Sequence, residues 1–192
     1  SPDVTLEVIG DTEPIGLCGT AFVDFVAEAH RVGLIGSTGR FTADALANHP
    51  SVHEGEHSRK FFVATDPDGK EIYISEVDIA SLLQAKAAIA AGIVCLLQRV
   101  GVSSHDVHTL YLAGGFGFHM DINSVLRCGL LPGFQPAQIS MVGNTSLAGA
   151  YLALVDSSAL HEIKAISARL ETIELNLDPT FESTYIDQLA IP

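Results

Sequence analysis

Two stretches decide how this chain reads: Leu110-Tyr111-Leu112-Ala113-Gly114-Gly115-Phe116-Gly117 and Ile139-Ser140-Met141-Val142-Gly143-Asn144-Thr145-Ser146. Each begins as a short apolar run of strand length, Leu110 to Ala113 and Ile139 to Val142, and breaks into a glycine-containing turn. A helical segment follows each turn, Ile122 to Cys128 after the first and Leu147 to Val155 after the second. Strand, turn and helix repeated twice argue for an α/β layered architecture. In such folds ligands sit at the carboxyl ends of the strands, which is where both glycine turns fall.

Working upstream, Glu76 to Val100 predicts a long helix. Ser75 and Asp78 have capping-box spacing, and Gly101 sits where a terminating glycine belongs. Ile79, Leu82, Lys86, Ile89, Ile93, Leu96 and Val100 recur at helical spacing and predict its buried face. Small residues from Ala85 to Gly92 leave room for a close neighbour. Before it, Phe61 to Thr65 and Glu71 to Ser75 flank Asp66-Pro67-Asp68-Gly69, a hairpin pattern. Gly36 to Lys60 is polar, rich in His, Gly and Ser, and reads as a loop. Residues 36–75 together predict a variable loop-and-hairpin insertion within a single domain of 192 residues. Val4 to Ile9 predicts a strand, Gly10 to Pro14 a turn, and Phe22 to Leu34 a helix ended by glycines. Downstream, Ser158 to Leu170 predicts a helix, Thr172 to Leu175 a strand, and a short helix closes the chain.

Composition narrows the function classes. Hydrophobic residues make up 47% and mean hydropathy is +0.32, enough for a real core. Ten basic residues face 23 acidic ones, a net charge of −13. Such a surface repels phosphate backbones, so no nucleic-acid partner is expected. An anionic ligand would instead be held by backbone amides and helix N-termini. No apolar run reaches membrane-spanning length uninterrupted, and Ser1-Pro2-Asp3-Val4 has neither the basic flank nor the apolar segment of a signal peptide. No membrane partner is therefore expected. The absent initiator Met suggests a fragment or a processed product. Cys18, Cys95 and Cys128 form no CxxC pair, which argues against a disulfide framework or a self-contained zinc or iron–sulfur site and fits a reducing cytoplasm.

The candidate chemistry is backbone chemistry. Gly114 and Gly115 let the main chain approach a flat or phosphorylated ligand without a Cβ in the way. Gly143, Asn144 and Ser146 offer amides and polar side chains before a small-residue helix. Either turn alone is more often plain structure, since glycine turns after strands are common; two on consecutive strands point to a site. Gly16, Gly19 and Thr20, in Pro14-Ile15-Gly16-Leu17-Cys18-Gly19-Thr20, form either an anion cradle at a helix start or a helix entry capped by Thr20. Lys86 interrupts an apolar stripe and reads either as a lysine snorkelling at the core edge or as a ligand contact. His53-Glu54-Gly55-Glu56-His57 matches a zinc-protease pattern, but Pro50 and Gly55 break the helix that chemistry needs. With His49 at the same spacing it reads as a solvated loop open to adventitious metal.

Taken jointly, these segments resemble the C-terminal part of the reductive activators of corrinoid enzymes, ferredoxin-like proteins with an actin-like ATPase domain. The resemblance is carried by Pro14 to Thr20, Ala85-Lys86-Ala87-Ala88-Ile89, Leu112 to Gly117, Gly129-Leu130-Leu131-Pro132, Gly143 to Ala150, and the ending from Ile173 through Asp178-Pro179 and Phe181 to Pro192. It covers nearly the whole chain, with Gly36 to Lys60 the least matched. Ala21, where glycine is usual, and Phe118, where a polar residue is usual, depart from the pattern.

The resemblance implies an acetate-and-sugar-kinase/Hsc70/actin (ASKHA) fold: an RNase H-like α/β subdomain, its mixed sheet flanked by helices, forming the second half of an ATPase domain. It implies ATP or ADP with Mg2+ as ligand, with Gly114, Gly115 and Phe116 at the adenosine, Gly16, Gly19, Thr20, Lys86, Gly143, Asn144 and Ser146 as further contacts, and Ser146 to Ala153 as a hinge helix. The implied activity couples ATP hydrolysis to reduction of a Co(II) corrinoid protein to Co(I). Electrons would come from a [2Fe–2S] domain outside this sequence, so the segment alone is expected to hydrolyse little ATP. A corrinoid protein is the implied partner, and a homodimer is compatible with it. Two alternatives stay open: an activator of the 2-hydroxyacyl-CoA dehydratase type, which bridges a [4Fe–4S] cluster between subunits, and a non-catalytic module that docks a corrinoid protein.

Overall fold

The structure is a computed structural model, and it describes residues 5–192 without the side chains of Phe116 and Phe118. Its frame is the helix α3 (Glu76–Val100), which starts and stops as its sequence dictates. Ser75 Oγ accepts the Asp78 amide at 3.2 Å while the Asp78 carboxylate accepts the Ser75 amide at 2.9 Å. Gly101 ends the helix in the left-handed conformation at φ 77°, where a side chain is disfavoured. The buried face is rotated from the expected one: Ile79, Leu83, Lys86, Ala87, Ala90, Ala91 and Cys95 are inside, whereas Ile89, Leu96 and Val100 are exposed. Small residues won the inner positions because neighbouring elements approach α3 closely there. By length and apolarity α3 could cross a membrane; here its inner face belongs to the protein core.

Ahead of α3 lie helix α1 (Gly19–Arg31), helix α2 (Ala43–Asn48) and the strands β1 (Val52–His53), β2 (Lys60–Thr65) and β3 (Glu71–Ser75). The strands pair antiparallel in the order β1-β2-β3, with Val52 opposite Phe61 and Phe61 opposite Ile74. The β2–β3 turn forms as its sequence predicts: Asp66 Oδ1 accepts the amides of Asp68 and Lys70, and Gly69 takes φ 82°. The stretch from Gly36 to Lys60 is not wholly loop, since α2 and β1 lie inside it. Thr42 caps α2 by accepting the Ala45 amide at 3.1 Å. Phe61 is the centre of this part of the core, tilted against Phe25 at 5.1 Å and His49 at 5.3 Å between ring centroids. Burying such a side chain contributes about 2–3 kcal/mol.

After α3 come β4 (Leu110–Ala113), the short α4 (Gly115–Phe118), α5 (Ile122–Arg127), β5 (Ile139–Gly143), and the helices α6 (Thr145–Val155), α7 (Ser157–Ser167) and α8 (Phe181–Asp187). β4 and β5 pair parallel, so the parallel and antiparallel pairing is divided between two small sheets. Asp121 caps α5 by accepting the Ser124 amide at 2.8 Å, and α5 packs on α1. α8 packs on α3.

Two expected strands are absent. Among the described residues of the first, Thr5 to Ile9, the chain is irregular and turns with Asp11 donating its amide to the Val8 carbonyl; Val4 lies outside the described residues. Thr172 to Leu175 runs irregularly into a single turn of tight helix, Leu175–Leu177. In both places the period-2 pattern has no neighbouring strand to pair with, and an unpaired strand leaves its backbone groups to solvent. α6 and α7 carry no buried residue, although Leu147, Tyr151, Leu154 and Val155 give α6 a strongly apolar surface.

Candidate functional site

The two glycine turns form one surface. Leu110 pairs with Ile139, Tyr111 with Ser140 and Leu112 with Met141; the register then shifts so that Ala113 meets Gly143. One residue further on, the Gly114 amide donates to the Gly143 carbonyl at 2.7 Å. Gly114 holds φ 103° and Gly143 φ 69°, conformations that favour glycine, so the junction depends on these residues at its two ends. A Cβ built at Gly114 or Gly115 would meet no atom within 4 Å, so the turn faces open space. Gly115 opens α4, and the side chain of Phe116, named with it in the sequence reading, lies outside the described residues.

From Gly143 the chain enters α6 at once. Asn144 is its N-cap, its Oδ1 accepting the Leu147 amide at 3.0 Å, and its carbonyl accepts the Ala148 amide at 3.1 Å. Thr145 and Ser146 begin the helix and are exposed. An eleven-residue helix therefore starts beside the Gly114–Gly143 junction, with the positive end of its dipole at the exposed glycine turns. Amides and an open glycine edge can approach an anionic or flat ligand without a cationic side chain.

The remaining candidates go elsewhere. Gly16 is exposed, and Gly19 is the first residue of α1, whose N-cap position is Cys18. Thr20 is inside the helix and not its cap; its hydroxyl meets the Cys18 thiol at 3.0 Å. That contact and the Ala21 amide hold the thiol below its ordinary pKa. Among the described residues, no hydrogen bond links this helix start to the glycine turns. Lys86 neither snorkels nor lies open to a ligand: it is 1% exposed, and its Nζ donates to the Ala190 carbonyl at 2.7 Å. No sequence signal marks that contact, because 104 residues separate the partners.

The histidine pattern does not fall on a helix. His53 ends β1, and Glu54 to His57 follow it outside any helix. His49 is buried against Phe61, its Nδ1 accepting the Ser51 amide at 3.2 Å, and removal from water pushes its pKa down. Among the described residues no group of three or more His, Cys, Asp or Glu side chains is placed to hold a metal. Cys95 and Cys128 are buried, whereas Cys18 is exposed.

Over residues 1–192 the chain matches the family described as the C-terminal domain of RACo, the ASKHA domain. The chain belongs to this family. It is 34% identical over 191 residues to the corrinoid activation enzyme RamQ of Eubacterium limosum, covering 95% of this chain and 32% of that protein. It is 27% identical over 180 residues to the [Co(II) methylated amine-specific corrinoid protein] reductase of Methanosarcina barkeri, covering 93% of this chain and 29% of that protein. Among solved structures, a reductive activator for corrinoid,iron-sulfur protein superposes over the whole chain with a TM-score of 0.91 and 32% identity; the match covers 31% of that structure. The chain thus spans about a third of the length of the relatives it matches. The family resemblance carried by the glycine motifs and the α/β fold class agree with these matches, and the similarity extends across both small sheets and the α6–α7 pair.

Proposed function

We propose that this chain is the nucleotide-binding portion, the second half of the ATPase domain, of an ATP-dependent reductive activator of corrinoid proteins. The junction of Gly114 with Gly143 carries the reading, because it turns two separate glycine motifs into one open edge beside the start of α6. Adenosine would lie along Gly114 and Gly115, with Gly143, Asn144 and Ser146 on the flank nearer α6. Mg2+ would arrive with the phosphates, since this edge is built of amides and neutral side chains. Gly16, Gly19 and Thr20, at a second helix start, remain candidates for a separate part of the ligand.

In the longer protein, bound ATP would be hydrolysed to drive reduction of a Co(II) corrinoid protein to Co(I). The electrons would come from a [2Fe–2S] domain outside this chain. The exposed apolar surface of α6 supports a segment that packs against more of its own protein or against a second copy. A dehydratase-activator role finds less support: a cluster bridged between subunits needs accessible thiolates, and Cys95 and Cys128 are 2% and 1% exposed.

Calorimetric titration of the chain with ADP and ATP, with and without Mg2+, tests the site. Saturable binding that is lost when Gly115 gains a side chain is the expected result. Absence of binding to either nucleotide would leave the docking-module alternative in its place.

A further inference from the structure

Lys86 poses a problem that the nucleotide reading does not solve. Its ammonium is 1% exposed and, among the described residues, forms no ion pair. A buried charge ordinarily has a carboxylate or several acceptors to offset its lost hydration. Here the described hydrogen bond is to a single main-chain carbonyl, that of Ala190, at 2.7 Å. Burial pushes the pKa of the Lys86 ammonium down and that of the nearby Cys128 thiol up.

The carbonyl belongs to the tail that follows α8, and the tail is held at successive residues rather than by a strand or helix. Ala190 accepts from Lys86 on α3. Ile191 is 3% exposed and donates its amide to the Ser37 carbonyl, in the loop after α1, at 2.8 Å. Pro192 lies on Gly129, just beyond α5: a Cβ there would come within 2.9 Å of the proline ring and 3.1 Å of Lys86 Nζ. The tail also forms one wall of a groove of about 410 Å³ whose other wall includes Leu126, Leu131 and Phe134.

We propose that residues 189–192 are a strap clamping α3, the loop after α1 and the end of α5 together, and that Lys86 is its latch. The latch rests on one hydrogen bond, which water replaces at both ends when the strap opens, whereas a side chain without the ammonium leaves the Ala190 carbonyl unpaired in the closed strap. The strap therefore opens as a local unit, ahead of global unfolding. This reading is independent of nucleotide binding.

Hydrogen exchange on the chain tests it, with the Ile191 amide as reporter. In the unaltered chain Ile191 exchanges at least tenfold faster than the Ala90 amide in the middle of α3, and its rate is insensitive to low denaturant. In Lys86→Met, Ile191 loses a further tenfold in protection while Ala90 keeps its rate. Equal protection of Ile191 and Ala90 in the unaltered chain, or unchanged Ile191 protection in Lys86→Met, overturns the strap or the latch respectively. Should the variant not fold, amine acylation of the unaltered sequence and of a chain lacking residues 190–192 decides. Lys86 is then protected relative to Lys60 and Lys70 in the first and labelled like them in the second. Equal labelling of Lys86 in both chains overturns the proposal.

Discussion

The Gly114 amide donates to the Gly143 carbonyl at 2.7 Å, one residue past the last pair of the β4–β5 ladder. This bond fixes the relative placement of two turns that lie 29 residues apart, and with them the start of α6. Because both glycines hold positive φ, the junction is a backbone construction that other residues would strain. A ligand edge made of main-chain groups suits a chain with net charge −13, which has few cations to spend on phosphate.

Gly115 allows the ligand reading to be separated from stability. It sits at the start of α4, its φ is not positive, and a Cβ would meet nothing within 4 Å. Gly115→Val is therefore expected to change stability by no more than about 0.5 kcal/mol, as exposed substitutions do. Its added bulk lies where the base or ribose would rest, and affinity for ADP is expected to fall at least about tenfold, or ~1.4 kcal/mol. Calorimetric titration beside a thermal melt measures both. Unchanged affinity in a folded variant would place the nucleotide elsewhere.

Glu76 opens α3 and is 6% exposed. Its Oε1 accepts the buried Phe41 amide and its Oε2 accepts from Arg40 Nη1, each at 3.0 Å. Glu76→Ala leaves the Phe41 amide without a partner inside the core, which costs about 2–3 kcal/mol. Glu76→Gln keeps one oxygen for that amide and is expected to cost less than half as much. Urea unfolding of the two variants gives the comparison. Equal losses would mean that the charge on Arg40, and not the Phe41 amide, is what Glu76 serves.

Local signals were readable wherever a residue acts on its near neighbours. Ser75 with Asp78, Gly101, the Asp66 turn and the strands leading into Gly114 and Gly143 all formed as their sequences predict. What could not be read depends on partners far along the chain. In sequence Lys86 reads as a ligand contact or a core-edge lysine, because its partner, Ala190, carries no side-chain mark. The inner face of α3 turned towards Ala87, Ala90 and Ala91, since close packing favoured small residues over the bulkier Ile89 and Leu96. Thr172 to Leu175 has the composition of a strand and no strand beside it. The two glycine motifs were legible one by one, and their junction through Gly143 followed from the parallel pairing.

His49 gives the fold a dependence on acid. Burial lowers its pKa from an ordinary 6.5, so the folded chain resists its protonation while the unfolded chain accepts a proton freely. Above 6.5 both states are neutral at this residue and it adds no pH dependence. As pH falls below 6.5 the unfolded state binds more protons, and stability declines until the folded-state pKa is passed. His49→Gln removes this contribution. The urea midpoint is thus expected to drop more between pH 7.5 and 5.5 in the unaltered chain than in the variant. The difference of the two drops isolates His49 from the other seven histidines. Parallel declines would show that His49 titrates as it does in the unfolded chain.

Hydrolysis of ATP needs groups on both sides of the transferring phosphoryl, to position the attacking water and to stabilise charge as the bond breaks. The edge at Gly114 and Gly143 offers amides and the polar side chains of Asn144 and Ser146, which can bind but supply neither a general base nor a cation. The relatives are about three times as long as this chain, so the opposing groups would belong to sequence beyond it. Phosphate release by the chain alone is expected to stay near background even when ADP binds. A protein of the relatives' full length is expected to hydrolyse ATP and to do so faster with a Co(II) corrinoid protein present. Four reactions, each protein with and without that partner, make the comparison. Robust hydrolysis by this chain alone would place the catalytic groups within it, and a long protein indifferent to the corrinoid protein would remove the proposed partner.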